Sequence, residues 1–201
     1  HEAKLYLNAN KDSDGAKNCR QKFAILVTDG ADTFACNGNG SESQSDQYTR
    51  RKATVAKAKA LADAGYKVFV IGFGESMPDH LEYTLNWAAY LGGTDNPDLA
   101  NTGDTSVITA SSDPCAADSS NDPGTALLRG YAYIAATAEQ LSAALTRAIN
   151  IIAEARVSFT VSSVAASRTR EENFLYEASF QPINNDPFWL GRLKKYNINT
   201  D

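Results

Sequence analysis

Residues 22–34 read KFAILVTDGADTF. The core of this stretch, FAILV (23–27), is apolar without alternation, the pattern of a parallel strand covered on both faces. It stops abruptly at Thr28-Asp29-Gly30. A strand ends on a carboxylate and a glycine for one of two reasons. Either the pair forms a turn whose carboxylate binds nearby backbone amides, or the carboxylate is an oxygen ligand at the edge of a sheet. The stretch by itself leaves both open.

Working outward, the pattern repeats. From Tyr48 to Ala64, residues Val55, Ala58, Leu61 and Ala62 share one face of an amphipathic helix that Gly65 closes. YKVFVIGFG (66–74) predicts a second buried strand. Pro78 suits the first turn of a helix with Leu81, Leu85, Ala88 and Leu91 on one face, stopped by Gly92-Gly93. Residues 93–130 are rich in Asp, Ser and Gly and predict a long exposed segment. YAYIAA (131–136) predicts a third strand, and Thr137 with Gln140 a capping box for a helix carrying Leu141, Leu145, Ala148 and Ile152. Upstream, residues 2–10 read as the end of a helix and 11–21 as a loop. Alternating strands and helices predict an α/β fold with a parallel sheet over residues 1–155. After Ala155 the period changes to two: RVSFTVSSV, NFLYEASFQP and LGRLKKYNI predict strands of a separate β-rich unit, 156–201.

The totals fit this. A chain of 201 residues, 43% hydrophobic and 21% charged, can bury a core. It has no apolar run long enough to span a membrane. The net charge of −5, from 24 acidic and 19 basic residues, argues against nucleic acid as a partner. Three cysteines, Cys19, Cys36 and Cys115, lie in polar sequence and favour disulfides and an oxidising compartment. Cys19 with Cys36, which bracket one strand and its loop, is the preferred pair, although sequence does not fix connectivity.

The segments FAILVTDGADT, GYKVFVIGFGE and YAYIAATAEQLSAALTRAINII resemble strands four, five and six of a von Willebrand factor type A domain, each with its helix. The tail adds Trp189, Gly191, Leu193 and Tyr196 in a Trp-x-Gly-x-Leu-x-x-Tyr pattern just beyond FLYEASFQP. That resembles the passage from the A-type domain into the β-propeller of PilC/PilY-type type IV pilus tip adhesins. The resemblance implies that residues 1–155 are the C-terminal portion of an A-type domain, half of a doubly wound parallel sheet. Residues 156–201 would lead into a further, propeller-like domain. It also implies a non-enzymatic adhesin or pilus biogenesis factor at the pilus tip or outer cell surface, binding minor pilins and a host or surface protein. In that family a divalent cation sits at the carboxyl ends of the strands, and the late metal-site aspartate falls on Asp29, implying Mg2+ or Mn2+. The family's Asp-x-Ser-x-Ser motif and its first three strands are absent here. A sheet cut there leaves the edge of FAILV unpaired, to be completed by an upstream part of the same protein. A metal-free module capping or spacing the pilus tip is the alternative, and a metal-dependent hydrolase a more distant one.

Other candidates read as ordinary structure. NKDSDG (10–15) opens like a calcium loop but places Gln21 where the bidentate glutamate belongs, so Ca2+ is not expected within this chain. The aspartates of SSDPCAADSSNDPG (111–124) fit a solvated loop, and the basic residues of YTRRKATVAKAKA (48–60) a solvated helix face. Thr28 is expected to bond locally, and Asp32 is a candidate for a place behind the metal ligand. Gly72 and Gly74 are expected to let the chain leave its strand tightly. His1 and His80 have no serine or cysteine nucleophile motif around them.

Overall fold

The computed structural model describes residues 1–15, 17, 21–30, 36, 47–116, 119–157, 174–182 and 189–197. The chain divides into two compact units, His1–Ile152 and Ala153–Asp201. The first contains α1 (Glu2–Ser13), β1 (Lys22–Thr28), α2 (Tyr48–Asp63), β2 (Tyr66–Phe73), α3 (Asp79–Leu91), β3 (Thr102–Gly103), β4 (Leu128–Arg129), β5 (Tyr133–Ala135) and most of α4 (Ala138–Val157). It is a mixed α/β arrangement around a small parallel sheet, ordered β1-β2-β5.

β2 is the central strand because its side chains are apolar in both directions. Val68 and Val70 join Val55 and Ala58 of α2 and Leu85, Trp87 and Ala88 of α3 in one core cluster. Phe69 and Ile71 point the other way and meet Ala144 and Ala148 of α4, with Phe23 and Leu141 against them. Helices therefore cover both faces of β2, as a continuous apolar strand requires. β1 runs parallel to β2 from Lys22↔Tyr66 to Thr28↔Gly72. β5 is held by the short register Ile71↔Tyr133 to Phe73↔Ala135.

β1 departs from the expectation of full cover. Among the described residues it pairs only with β2, and Ile25, Leu26 and Val27 remain 37%, 38% and 46% exposed. Successive residues on a strand point to opposite faces, so both faces of this edge carry uncovered apolar surface. The strand has the sequence of an interior position and the location of an edge.

Helix limits follow local chemistry. Gly65, at φ +86°, takes the left-handed position that closes α2, its N–H donating to the Ala62 carbonyl at 2.8 Å. Pro78 sits at the N-cap of α3, one residue before the helix. At α4 the capping box forms with a shift: the Gln140 N–H donates to Thr137 Oγ1 at 3.3 Å, while Gln140 Oε1 accepts from the N–H of Ala136 at 2.7 Å. α1 runs to Ser13, three residues further than expected, and takes in most of NKDSDG. Asp14 of that stretch pairs with Lys22 at 2.8 Å.

The segment between α3 and β5 is the main correction. It is not a simple exposed loop: Ile108 is 6% exposed, Asp122 4% and Leu128 0%. β3 and β4 pair antiparallel, Thr102↔Arg129 and Gly103↔Leu128. The indole Nε1 of fully buried Trp87 donates to the Ala126 carbonyl at 2.8 Å, so the helix core includes this excursion. A disulfide joins Cys36 to Cys115, not to Cys19, and spans 79 residues of sequence. Bracketing a strand proved a poor guide to pairing, because the excursion returns over the start of α2 and brings a distant cysteine within reach.

In the second unit, β6 (Phe174–Pro182) and β7 (Trp189–Asn197) form an antiparallel pair with Phe174↔Asn197 and Pro182↔Trp189 at its ends. The strand expected at RVSFTVSSV begins differently: α4 continues through Val157, and residues 158–164 lie outside the described part.

Candidate functional site at the carboxyl end of the sheet

Open parallel sheets present ligand sites beyond the carboxyl ends of their strands, and the end of β1 borders such a cleft here. The Thr28 hydroxyl donates to the Gly30 carbonyl at 2.9 Å and accepts the Gly30 N–H at 3.4 Å. Thr28 thus closes the turn, a role that a turn reading would have given to the Asp29 carboxylate. Asp29 is exposed and, among the described residues, has no hydrogen-bond or ion-pair partner. Asp32 lies outside the described residues.

The cleft has a volume of about 230 Å³. Leu26, Met77, Leu81 and Leu85 supply its apolar wall, while Thr28 and Gly30 border it from the end of β1. Arg50, Arg51 and Gln47 line it from the start of α2. Gly72, the register partner of Thr28, makes this wall possible. A Cβ there would come within 2.6 Å of Leu85 Cδ1 and 2.8 Å of Met77 Cε. At Gly74 nothing lies within 4 Å of such a Cβ, so the two glycines that look alike in sequence differ in role.

Behind the cleft lies a buried ion pair that the sequence reading missed. Arg50, Arg51 and Lys52, assigned to a solvated face, are only 3%, 6% and 6% exposed. Arg51 grips Asp122 with two bonds, Nε to Oδ1 at 2.8 Å and Nη2 to Oδ2 at 2.6 Å. The Gly124 N–H also donates to Asp122 Oδ1 at 2.9 Å. A Cβ on Gly124 would fall 2.5 Å from Arg51 Nε, so this glycine admits the arginine. A signal for the pair was present. Three successive cations at the start of α2, with no acid in its first turn, oppose the helix dipole and call for a carboxylate from elsewhere.

His80 adjoins this pair. Its Nε2 is buried with no hydrogen-bond partner among the described residues. Burial, then the positive charge of Arg51, holds the imidazole below its ordinary pKa of 6.5, against the opposing pull of Asp122 and Asp79. The unfolded chain therefore takes up this proton at a higher pH than the folded one. Stability from His80 is complete above about pH 6.5 and is lost as pH falls through that value toward the folded pKa. Urea midpoints should drop between pH 7.5 and 5.5, with His80→Gln flattening the drop; an equal slope in the variant would contradict this assignment.

As for a cation, Asp29 offers one hard oxygen ligand, and among the described residues no group of three His, Cys, Asp or Glu side chains is placed to hold a metal. Arg50 and Arg51 line the neighbouring cleft, the charge of Arg51 being met by Asp122. Comparison of the chain with protein-family profiles, curated proteins and solved structures finds no match.

Proposed function

We propose that this chain is a protein-binding, non-enzymatic module of a cell-surface adhesin. In this reading it is the later half of a von Willebrand factor A-like domain followed by the first strands of a β-domain, in a PilC/PilY-type protein of the type IV pilus tip. One observation carries it: Asp29 stands exposed at the carboxyl end of a parallel strand whose outer edge is apolar and, among the described residues, unpaired. An upstream segment pairing with β1 would cover Ile25, Leu26 and Val27 and bring further oxygen ligands beside Asp29 for Mg2+ or Mn2+. The Cys36–Cys115 disulfide supports an oxidising, extracellular setting. No helix among the described residues is long and apolar enough to cross a membrane. Minor pilins and a surface protein of the host are the partners this reading implies.

A second reading, a metal-free module capping or spacing the pilus tip, draws on the Thr28–Gly30 bonds, which make Asp29 part of a closed turn. Asp29→Ala in the full-length protein separates the two. The adhesion reading expects Mn2+ affinity to fall by more than about tenfold, together with loss of Mg2+-dependent attachment of piliated cells. Unchanged Mn2+ titration and attachment would leave the structural module as the function.

A further inference from the structure

His80 stands where α2, α3 and the excursion between α3 and β5 meet. Thr84, one turn further along α3, donates its hydroxyl to the His80 carbonyl at 2.6 Å, and Leu81 and Thr84 border the cleft together with Arg51 of α2. Arg51 in turn grips Asp122 of the excursion. The imidazole Nε2 is buried without a hydrogen-bond partner among the described residues, while the residue as a whole is partly open to solvent. We propose that His80 is an acid-operated latch: a proton on its imidazole frees Asp122 and its neighbours from α2, while the sheet stays folded.

The carboxylates around the ring are already engaged. Asp122 accepts two bonds from Arg51 and one from the Gly124 N–H. Asp79 and Glu82 of α3 both pair with Arg129 of β4. His80 is also the second residue of α3, at the positive end of the helix dipole. Burial, and then the charge of Arg51, already hold the ring below its ordinary pKa of 6.5, with Asp122 and Asp79 pulling the other way. An imidazolium here is a second cation beside a buried pair that holds one carboxylate. Opening the contact between α2 and Asp122 relieves this, because water then reaches all three charges. The opening stays local because the chain is tied on both sides. Cys115 is bonded to Cys36, and Lys52 Nζ donates to the Ala116 carbonyl at 3.3 Å. Beyond the latch, the Ala126 carbonyl accepts from Trp87 and Leu128 is fully buried. Residues 119–125 lie between these ties, and Asp122 fastens them to α2. The latch is independent of the cation-dependent adhesion proposed above and stands whether or not Asp29 holds a metal.

The test is hydrogen exchange followed by mass spectrometry on the oxidised full chain at pH 7.5 and 5.5, corrected for the pH dependence of intrinsic exchange. An opened histidine with a pKa of about 6.5 raises the opening equilibrium by up to about tenfold over this range. Protection of residues 119–125 should fall severalfold at pH 5.5, while β2, residues 66–73, keeps its protection. His80→Gln should keep both segments protected at pH 5.5. Unchanged protection of 119–125 in the parent overturns the proposal, as does an equal loss in β2, which would mean global unfolding. The same local loss in His80→Gln also overturns it. Where that variant does not fold, the parent still decides by nuclear magnetic resonance: the His80 ring signal should titrate below pH 6.5, and a midpoint at or above that value removes the latch.

Discussion

Arg51→Met is expected to destabilise the first unit by roughly 3–5 kcal/mol, because it leaves the Asp122 carboxylate buried without its counter-charge. Both side chains are almost fully enclosed, at 6% and 5% exposure, and their contact joins residues 71 apart in sequence. The Gly124 N–H remains to Asp122 in the variant, which places the loss toward the lower end of that range. The double variant Arg51→Met/Asp122→Leu should recover much of the stability, since replacing a buried pair by apolar groups of similar size is often neutral. Urea unfolding of the two variants and the parent measures this. A single-variant loss below about 1 kcal/mol, the range of surface pairs, would show that water reaches the pair.

Removing the disulfide is the second large effect. The bridge closes a loop of 79 residues, and its loss through Cys36→Ser/Cys115→Ser is expected to cost about 2–5 kcal/mol. Because Cys115 and Asp122 both fasten the excursion between α3 and β5, the two losses should not add. Once the excursion has lifted from α2, the second fastening has less to hold, so the combined variant should lose less than the sum of the parts. Full additivity would mean that the two contacts hold separate structures.

What could be read from the sequence was what depends on periodicity. α2, α3 and α4 carry apolar residues at helical spacing, and β2 carries them without a break, so their type and their order around a parallel sheet follow. β1 shows the limit of that signal. FAILV states that the strand is built to be covered, but not whether its cover belongs to the same stretch of chain. Exposure of Ile25, Leu26 and Val27 was therefore legible only through the missing strands of the resembling family. The polar segment after α3 misled for a different reason. Composition predicts contact with water, yet a charge is buried readily when its partner is close, and Arg51 and Asp122 meet across 71 residues that no local pattern connects. The pairing of Cys36 with Cys115 was hidden by the same fold of the chain. At the candidate site, Asp29 stood out as the end of a strand. The arginines of the neighbouring cleft did not, because their helix reads as amphipathic whichever way its basic side turns.

The disulfide also matters for how the first unit would carry mechanical load. Tension applied between a point before Cys36 and a point after Cys115 passes through the sulfur–sulfur bond and bypasses α2, β2 and α3, which lie inside the covalent ring. The enclosed chain, about 270 Å if drawn straight from 79 residues, is withheld from extension while the bond is intact. Pulling can strip β1 from β2 or peel α4 from the sheet, but it cannot unravel α2 and α3, which pack on the Val68 and Val70 face of β2. A reductant would add that hidden length to the force–extension curve as one extra step.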